Sequence, residues 1–318
     1  MKKAHITNKT KYTIAAALLV AAIIMIAASV VINNVRPPKS GGFGGIVRDQ
    51  QVYSSGLDRR DGFFTLLVVG IDAASNSTDT IMLVSFDTEL KKMSMMSIPR
   101  DTITNTRRAN KKINASYVSN GKRIRALYDE VESVTGVRPD KYALVTVDGF
   151  VELIDSLGGV EVDVPIDMIY EDPTQDLKIN IKKGLQTLDG YDAMGFMRYR
   201  KTYAEGDIGR IKVQHTFVNA FVDKMLTPST FVKIPEIAET ISENVETDLT
   251  LGNEIWLGRQ MLSMNLEQDF ETFTLPGRAH YYEGLSYYFP IEEEVLNIVN
   301  EYFNPYTVPI QELDLFEE

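Results

Sequence analysis

Phe63-Phe64-Thr65-Leu66-Leu67-Val68-Val69, closed by Gly70-Ile71-Asp72, is the stretch on which the fold turns. A short unbroken apolar run of this kind reads as a strand buried on both faces. Two more strands follow, Ile81–Phe86 and Met93–Ile98, joined by a turn through Asp87-Thr88-Glu89. A polar loop, Ser75-Asn76-Ser77-Thr78-Asp79-Thr80, separates the first strand from the second, and the third ends at Pro99-Arg100-Asp101.

Further along, strands alternate with helical patterns. Arg123–Val134 has helical spacing, stopped by Gly136 and Pro139. Tyr142–Val147 is a strand, Asp148 is placed to cap a helix over Gly149–Leu157, and Gly158-Gly159 ends it. Val160–Val164 alternates with acids as a half-exposed strand, and Asp189 is placed to cap a short helix to about Met197. An amphipathic helix over Ile208–Leu226 offers Ile211, Phe217, Val218, Phe221, Val222 and Met225 as its buried side. Helices at Thr230–Glu243 and Leu251–Met264 follow, with Trp256 expected in the core. Glu271–Leu275 and Leu285–Phe289 read as strands, Ile291–Tyr302 as a last helix, and the acidic tail from Gln311 as loose. Alternating strands and helices without internal repeats indicate a layered α/β domain.

Composition sets further bounds. The 318 residues carry a net charge of −11 and no Cys, which removes disulfides, thiolate zinc sites and a thiol nucleophile. Seven of the 33 basic residues and none of the 44 acidic ones lie in residues 1–48, so the remainder holds 26 against 44, a balance of −18. Such a surface does not attract nucleic acid in general. Two basic islands stand out against it. Residues 100–125 hold eight Lys or Arg against the single acid Asp101, and residues 198–212 hold five against Glu205 and Asp207.

Thr13–Ile32 is twenty residues without a charge, long enough to span a bilayer at about 1.5 Å per residue. Lys2, Lys3, Lys9 and Lys11 precede it, which keeps the N-terminus cytoplasmic and places the rest outside the membrane. The competing reading is a cleaved signal peptide with Ala27-Ala28-Ser29 as a small-residue site, against which the length of the apolar run argues. Residues 33–60, with Pro37-Pro38 and Gly41-Gly42-Phe43-Gly44-Gly45, form a linker.

The chemistry-bearing residues gather around Arg198-Tyr199-Arg200 and Gly206-Asp207-Ile208-Gly209-Arg210, followed by Gln214. On an extended segment Arg198 and Arg200 point to one side, and Asp207, Arg210 and Gln214 share one helix face. Guanidinium forks beside a helix N-terminus suit a multiply charged oxyanion. The plainer alternative is a solvated charged turn ahead of an amphipathic helix. Asp72 and Asp79 flank the loop between the first two strands, and Arg100 directly follows the third. Carboxylates at strand ends are where α/β sheets place ligands, and two hard oxygen donors near a polyphosphate suit Mg²⁺ better than zinc. Each Asp alone reads equally well as a turn cap. No HExxH helix, GxSxG elbow or GxxxxGK[ST] loop occurs, which disfavours a zinc hydrolase, a serine hydrolase of that type and a P-loop NTPase.

Together these segments carry a resemblance. Leu66–Asp72, Thr78–Ser85 and Ser97–Thr102 are followed by Lys112-Ile113-Asn114-Ala115, Asp148-Gly149-Phe150, Leu157-Gly158-Gly159-Val160 and Leu188-Asp189-Gly190, and then by the two Arg-bearing motifs quoted above. In that order, behind a membrane anchor, they resemble the LytR-CpsA-Psr (LCP) family of cell-wall glycopolymer transferases, strongly from Phe63 to Leu226 and more weakly to Tyr302.

The resemblance implies a layered α-β-α domain with a central mixed sheet over residues 61–305, preceded by a short cytoplasmic segment (1–12), one transmembrane helix (13–32) and an extracellular linker (33–60), and followed by an acidic tail (306–318). It implies that Arg100, Arg198, Arg200 and Arg210 grip a polyprenyl pyrophosphate, with Lys112 and Gln214 assisting. Asp72 and Asp79 match acids linked to Mg²⁺ (or Mn²⁺) and to activation of the acceptor, and Asp207 matches one that holds the Arg cluster. The implied reaction moves a glycopolymer, such as a teichoic acid or capsular polysaccharide, from its lipid carrier to peptidoglycan through a phosphodiester, with pyrophosphatase action as a side reaction. The implied location is the outer face of a Gram-positive-type cell membrane, with membrane lipid as a partner and no nucleic acid. Ala74, Ser77 and Val213 stand where the family often has Arg. Their presence keeps open a lipid-binding or scaffolding protein without turnover, or an indirect envelope-linked regulator of transcription.

Overall fold

The computed structural model describes residues 57–72, 77–172, 177–199 and 266–317, with individual positions between 216 and 264. The expected anchor and most of the expected linker lie outside these residues. Among the described residues, no helix is long and apolar enough to cross a membrane.

The expected run becomes β1 (Phe63–Asp72), followed by β2 (Ser77–Asp87) and β3 (Lys92–Ser97). Leu66, Leu67, Val68 and Val69 are wholly buried, as a strand covered on both faces requires. Asp87 shapes the β2–β3 turn by accepting from the amides of Glu89 (3.1 Å) and Leu90 (2.9 Å). With β4 (Lys141–Thr146), β9 (Val245–Thr247) and β10 (Phe270–Thr274), these strands form a six-stranded sheet ordered β10-β3-β2-β1-β4-β9. β2 pairs antiparallel with β3, and β10 pairs parallel with β3, so the sheet is mixed.

The chain forms two compact units. In the unit containing Ile81–Tyr142 and Met264–Glu318, α1 (Ile124–Thr135) ends at Gly136, whose φ of 70° places it in the left-handed region. The buried Asp140 carboxylate fastens the start of β1. It accepts from the Thr65 amide at 2.9 Å and hydroxyl at 2.8 Å, and pairs with Arg59 at 2.8 Å. Glu130, also buried, accepts from Thr104 and pairs with Arg108. α4 (Glu292–Ile298) runs into a π-turn, Val299–Phe303. β11 (Gly277–Tyr282) and β12 (Leu285–Pro290) make a hairpin turned by Glu283 and Gly284, both at positive φ. That geometry matches the right-handed twist of paired strands.

The tail is not loose. The amides of Leu313 and Asp314 bond to the Glu292 carboxylate and the Ser133 carbonyl, Asn105 donates to Asp314, and the Phe316 ring packs against Tyr282 and Phe289. Its acidity suggested a solvated end, but bonded amides and one half-buried ring outweigh that.

The unit containing Val69–Thr80 and Ala143–Ser263 holds α2 (Val147–Ser156) and α3 (Gly190–Arg198). Thr146, not Asp148, caps α2, its hydroxyl accepting from the Gly149 amide at 3.0 Å. Asp148 instead lies in the first turn, where its charge favours the helix N-terminus. Asp189 caps α3 as expected, accepting from the Asp192 amide at 2.8 Å. Burial, with repulsion from Asp189, pushes the Asp192 carboxyl above its usual value. Gly190 is required because a Cβ there would drive into the Val151 carbonyl. The rings of Phe150, Phe196, Phe217 and Phe221 fill the core of this unit. Phe217 and Phe221 are helical, as expected; most of that helix lies outside the described residues, as do most of Thr230–Glu243 and much of Leu251–Met264. Trp256 is only half-buried, while its neighbour Leu257 is buried. Two further ribbons, β5 (Val160–Val164) with β8 (Gly184–Leu188) and β6 (Met168–Asp172) with β7 (Leu177–Ile181), complete the unit.

Candidate functional site

The basic island after β3 folds into a tight corner. Thr102 turns the chain there, its amide and hydroxyl both donating to the Pro99 carbonyl, at 2.9 and 2.6 Å. Residues 100–104 then run antiparallel to 111–114. The Asn114 amide donates to the Arg100 carbonyl, the Ile113 amide to Thr102 and the Thr104 amide to Lys111. β12 holds the other side, its Tyr288 amide donating to the Asp101 carbonyl and its Tyr288 carbonyl accepting from Ile103, both at 2.9 Å. This backbone frame brings Arg100 and Lys112 together.

Between them stands Asp101. Its Oδ1 lies 2.9 Å from Lys112 Nζ and 4.0 Å from Arg100 Nε. The Asp101 side chain is 40% exposed, against 20% for Arg100 and 21% for Lys112. The cations are therefore the more enclosed partners and the carboxylate the more open one. A half-exposed pair of this kind contributes roughly 0–1 kcal/mol, so a more highly charged anion can compete for both cations. Sequence reasoning counted Asp101 as the one acid in a basic run and missed its position between the two cations. That count was the available signal.

Asp72 is the last residue of β1 and Asp79 stands early in β2. These strands are sheet neighbours joined by four residues, Ala73–Asn76, a link too short for a parallel crossover. The backbones of both Asp residues thus lie at one end of a hairpin. Among the described residues, no group of three or more acidic or imidazole side chains is arranged to hold a metal.

Arg198 departs from the expected extended segment. It is the final residue of α3, and the chain becomes extended only at Tyr199 (φ −68°, ψ 131°), which is buried. An Arg-Tyr-Arg sequence fits either conformation, and the helix capped at Asp189 carries through to Arg198. Arg200, Asp207, Arg210 and Gln214 lie outside the described residues. Asp72, Asp79 and Arg198 belong to one unit, Arg100 and Lys112 to the other.

The order of motifs along the sequence points to one family, and comparison with known proteins agrees. The chain belongs to the LytR_cpsA_psr family, whose model matches residues 45–304. Among its relatives is the polyisoprenyl-teichoic acid–peptidoglycan teichoic acid transferase TagV of Bacillus subtilis (strain 168), 34% identical over 244 residues. That match covers 73% of this chain and 62% of TagV, so the chain spans less than two thirds of that relative's length. Regulatory protein MsrR of Staphylococcus aureus (strain Mu50 / ATCC 700699) is 31% identical over 74% of this chain and 71% of its own. The crystal structure of B. subtilis TagV aligns with a TM-score of 0.59 at 31% identity, over 76% of this chain and 95% of that one. TagT bound to LIIa-WTA shares the fold, with a TM-score of 0.59 at 24% identity over 78% and 92% of the two chains.

Proposed function

We propose that the chain is a membrane-anchored transferase that moves a glycopolymer from a polyprenyl-pyrophosphate carrier to a peptidoglycan hydroxyl. The observation that carries this reading is the Arg100–Asp101–Lys112 corner, two enclosed cations sharing one open carboxylate, in a chain related to a teichoic acid transferase. A diphosphate takes the place of Asp101 against Arg100 and Lys112, and Arg198, Arg200, Arg210 and Gln214 complete the grip. Asp207 holds the Arg cluster in position. The acceptor oxygen attacks the phosphorus attached to the glycan, the bond from that phosphorus to the bridging oxygen breaks, and polyprenyl phosphate leaves. Asp72 or Asp79 orients the acceptor hydroxyl and takes its proton. Guanidinium groups matched to the charge spreading over the phosphoryl oxygens lower the barrier. Mg²⁺ or Mn²⁺ held by Asp72 and Asp79 would add positive charge at the same oxygens.

The name of the relative MsrR supports a second reading, an envelope-linked regulator.

The test is to incubate the full chain with lipid-linked glycan labelled in the polymer, peptidoglycan and varied Mg²⁺. The expected products are labelled peptidoglycan and equimolar polyprenyl phosphate. Tight retention of the lipid with no product after long incubation would support a binding or scaffolding protein instead.

A further inference from the structure

One face of the β11–β12 hairpin carries a chemistry that pyrophosphate binding does not use. Directly paired residues of an antiparallel ladder share a face, which puts Arg278 with Phe289, His280 with Tyr287 and Tyr282 with Leu285 on one side. Ring contacts agree: His280 meets Phe289 edge-on at 5.6 Å, and Tyr282 meets Tyr287 at 6.3 Å. Phe316 closes against Tyr282 at 5.0 Å, and Lys111 Nζ stands 5.0 Å from the Phe316 ring centre. A cavity of about 470 Å³ opens here, lined by Arg278, His280, Phe289, Pro290, Ile291 and Phe316. None of these residues is acidic, in a chain of net charge −11. Among the described residues Arg278 has no ion-pair partner, and both it and His280 are exposed. The corner described above lies next to this face, with Lys112 Nζ 5.6 Å from the centre of the buried Tyr287 ring.

We propose that this face is a docking subsite for a carboxylate-bearing glycan, which is the acceptor strand if the transferase reading above holds. Flat rings bordered by cations match a sugar that carries acid groups. A pyranose presents a plane of C–H groups to an aromatic face, while Arg278 and His280 meet its carboxylates. A polyol-phosphate chain has the charge but lacks that apolar plane, so the rings favour the sugar. The lining is too mixed in polarity for a lipid tail, which asks only for apolar walls.

Binding of the full chain to a short peptidoglycan-derived oligosaccharide with free carboxylates, followed by calorimetry, tests this. The double variant Arg278→Gln, His280→Gln is expected to bind it about tenfold or more weakly. Methyl-esterifying the sugar acids should weaken wild-type binding by a similar factor and add no further loss in the double variant. Tyr281→Ala, on the opposite face of β11, should bind as wild type, and inorganic pyrophosphate should bind wild type and double variant alike. The proposal is overturned if the double variant keeps its affinity, if the ester binds as well as the acid, or if a polyol-phosphate polymer binds this face more tightly than the glycan. A chain that binds the oligosaccharide in the expected pattern yet transfers nothing keeps the subsite and sinks only the transferase reading.

Discussion

Arg100→Ala will lower glycopolymer transfer by roughly 100-fold or more while the protein stays folded, which is the scale of losing one preorganised donor to a developing oxyanion. Arg100 lies beyond the end of β3 with its side chain 20% exposed, and its acidic neighbour Asp101 is 40% exposed, so removing the guanidinium leaves the Asp101 carboxylate in contact with water. Arg198→Ala with Arg200→Ala should fall at least as far. Turnover of labelled lipid-linked glycan, read beside the thermal midpoint, separates chemistry from folding. Wild-type rates in Arg100→Ala would remove this residue from the mechanism; a rate lost only in step with a lowered midpoint would make it structural.

Asp140→Ala will destabilise the protein by about 3–5 kcal/mol, the usual consequence of removing one partner from a buried ion pair. Its side chain is wholly buried, and three donors converge on it: the Thr65 amide, the Thr65 hydroxyl and Arg59. Thr65 is wholly buried and has no water at hand to replace the carboxylate, while Arg59 is 14% exposed. Denaturant unfolding with an unchanged slope measures the loss. Asp140→Asn, which keeps one acceptor, should lose less. A loss under about 1 kcal/mol in the alanine variant would mean that these donors find other partners, and that this lock on β1 contributes little.

Elements that bury their own pattern were legible in the sequence. Phe63–Val69 is apolar throughout and is covered on both faces; Val160–Val164 alternates and is buried at every second residue; α1 stops at a left-handed Gly136. The β6–β7 and β11–β12 ribbons were harder. β11 is exposed at four of its six positions, so no alternation marks it, and its turn is Glu283-Gly284 in place of the familiar Asn-Gly or Asp-Gly. β6 buries Met168 but runs on through Ile169-Tyr170, which breaks any alternation, while β7 (Leu177–Ile181) alternates as β5 does, with Ile179 and Ile181 buried, a signal the reading of the sequence passed over. The tail misled through composition, because its backbone bonds and the Phe316 ring are invisible in a charge count.

The candidate site divides the same way. A basic island in an acidic chain is a sequence property, but Arg100 stands out by its place directly after the third strand, and Lys112 only through the family resemblance. That both lean on Asp101 depends on the Pro99–Thr102 turn and on the pairing of 100–104 with 111–114, which no local spacing encodes. The helical state of Arg198 was hidden for a related reason. An Arg-x-Arg pair reads as a strand edge until the cap nine residues upstream, Asp189, is seen to carry its helix that far.

The central claim is that cations distant in sequence serve a diphosphate headgroup. It is tested most directly by titrating the full chain with a short-chain polyprenyl pyrophosphate and, separately, with the matching monophosphate. The account predicts that the diphosphate binds about 100-fold more tightly, near 2.7 kcal/mol, and that Arg100→Ala erases most of that difference. Equal affinity for the two lipids, or a preference that survives Arg100→Ala intact, would contradict it.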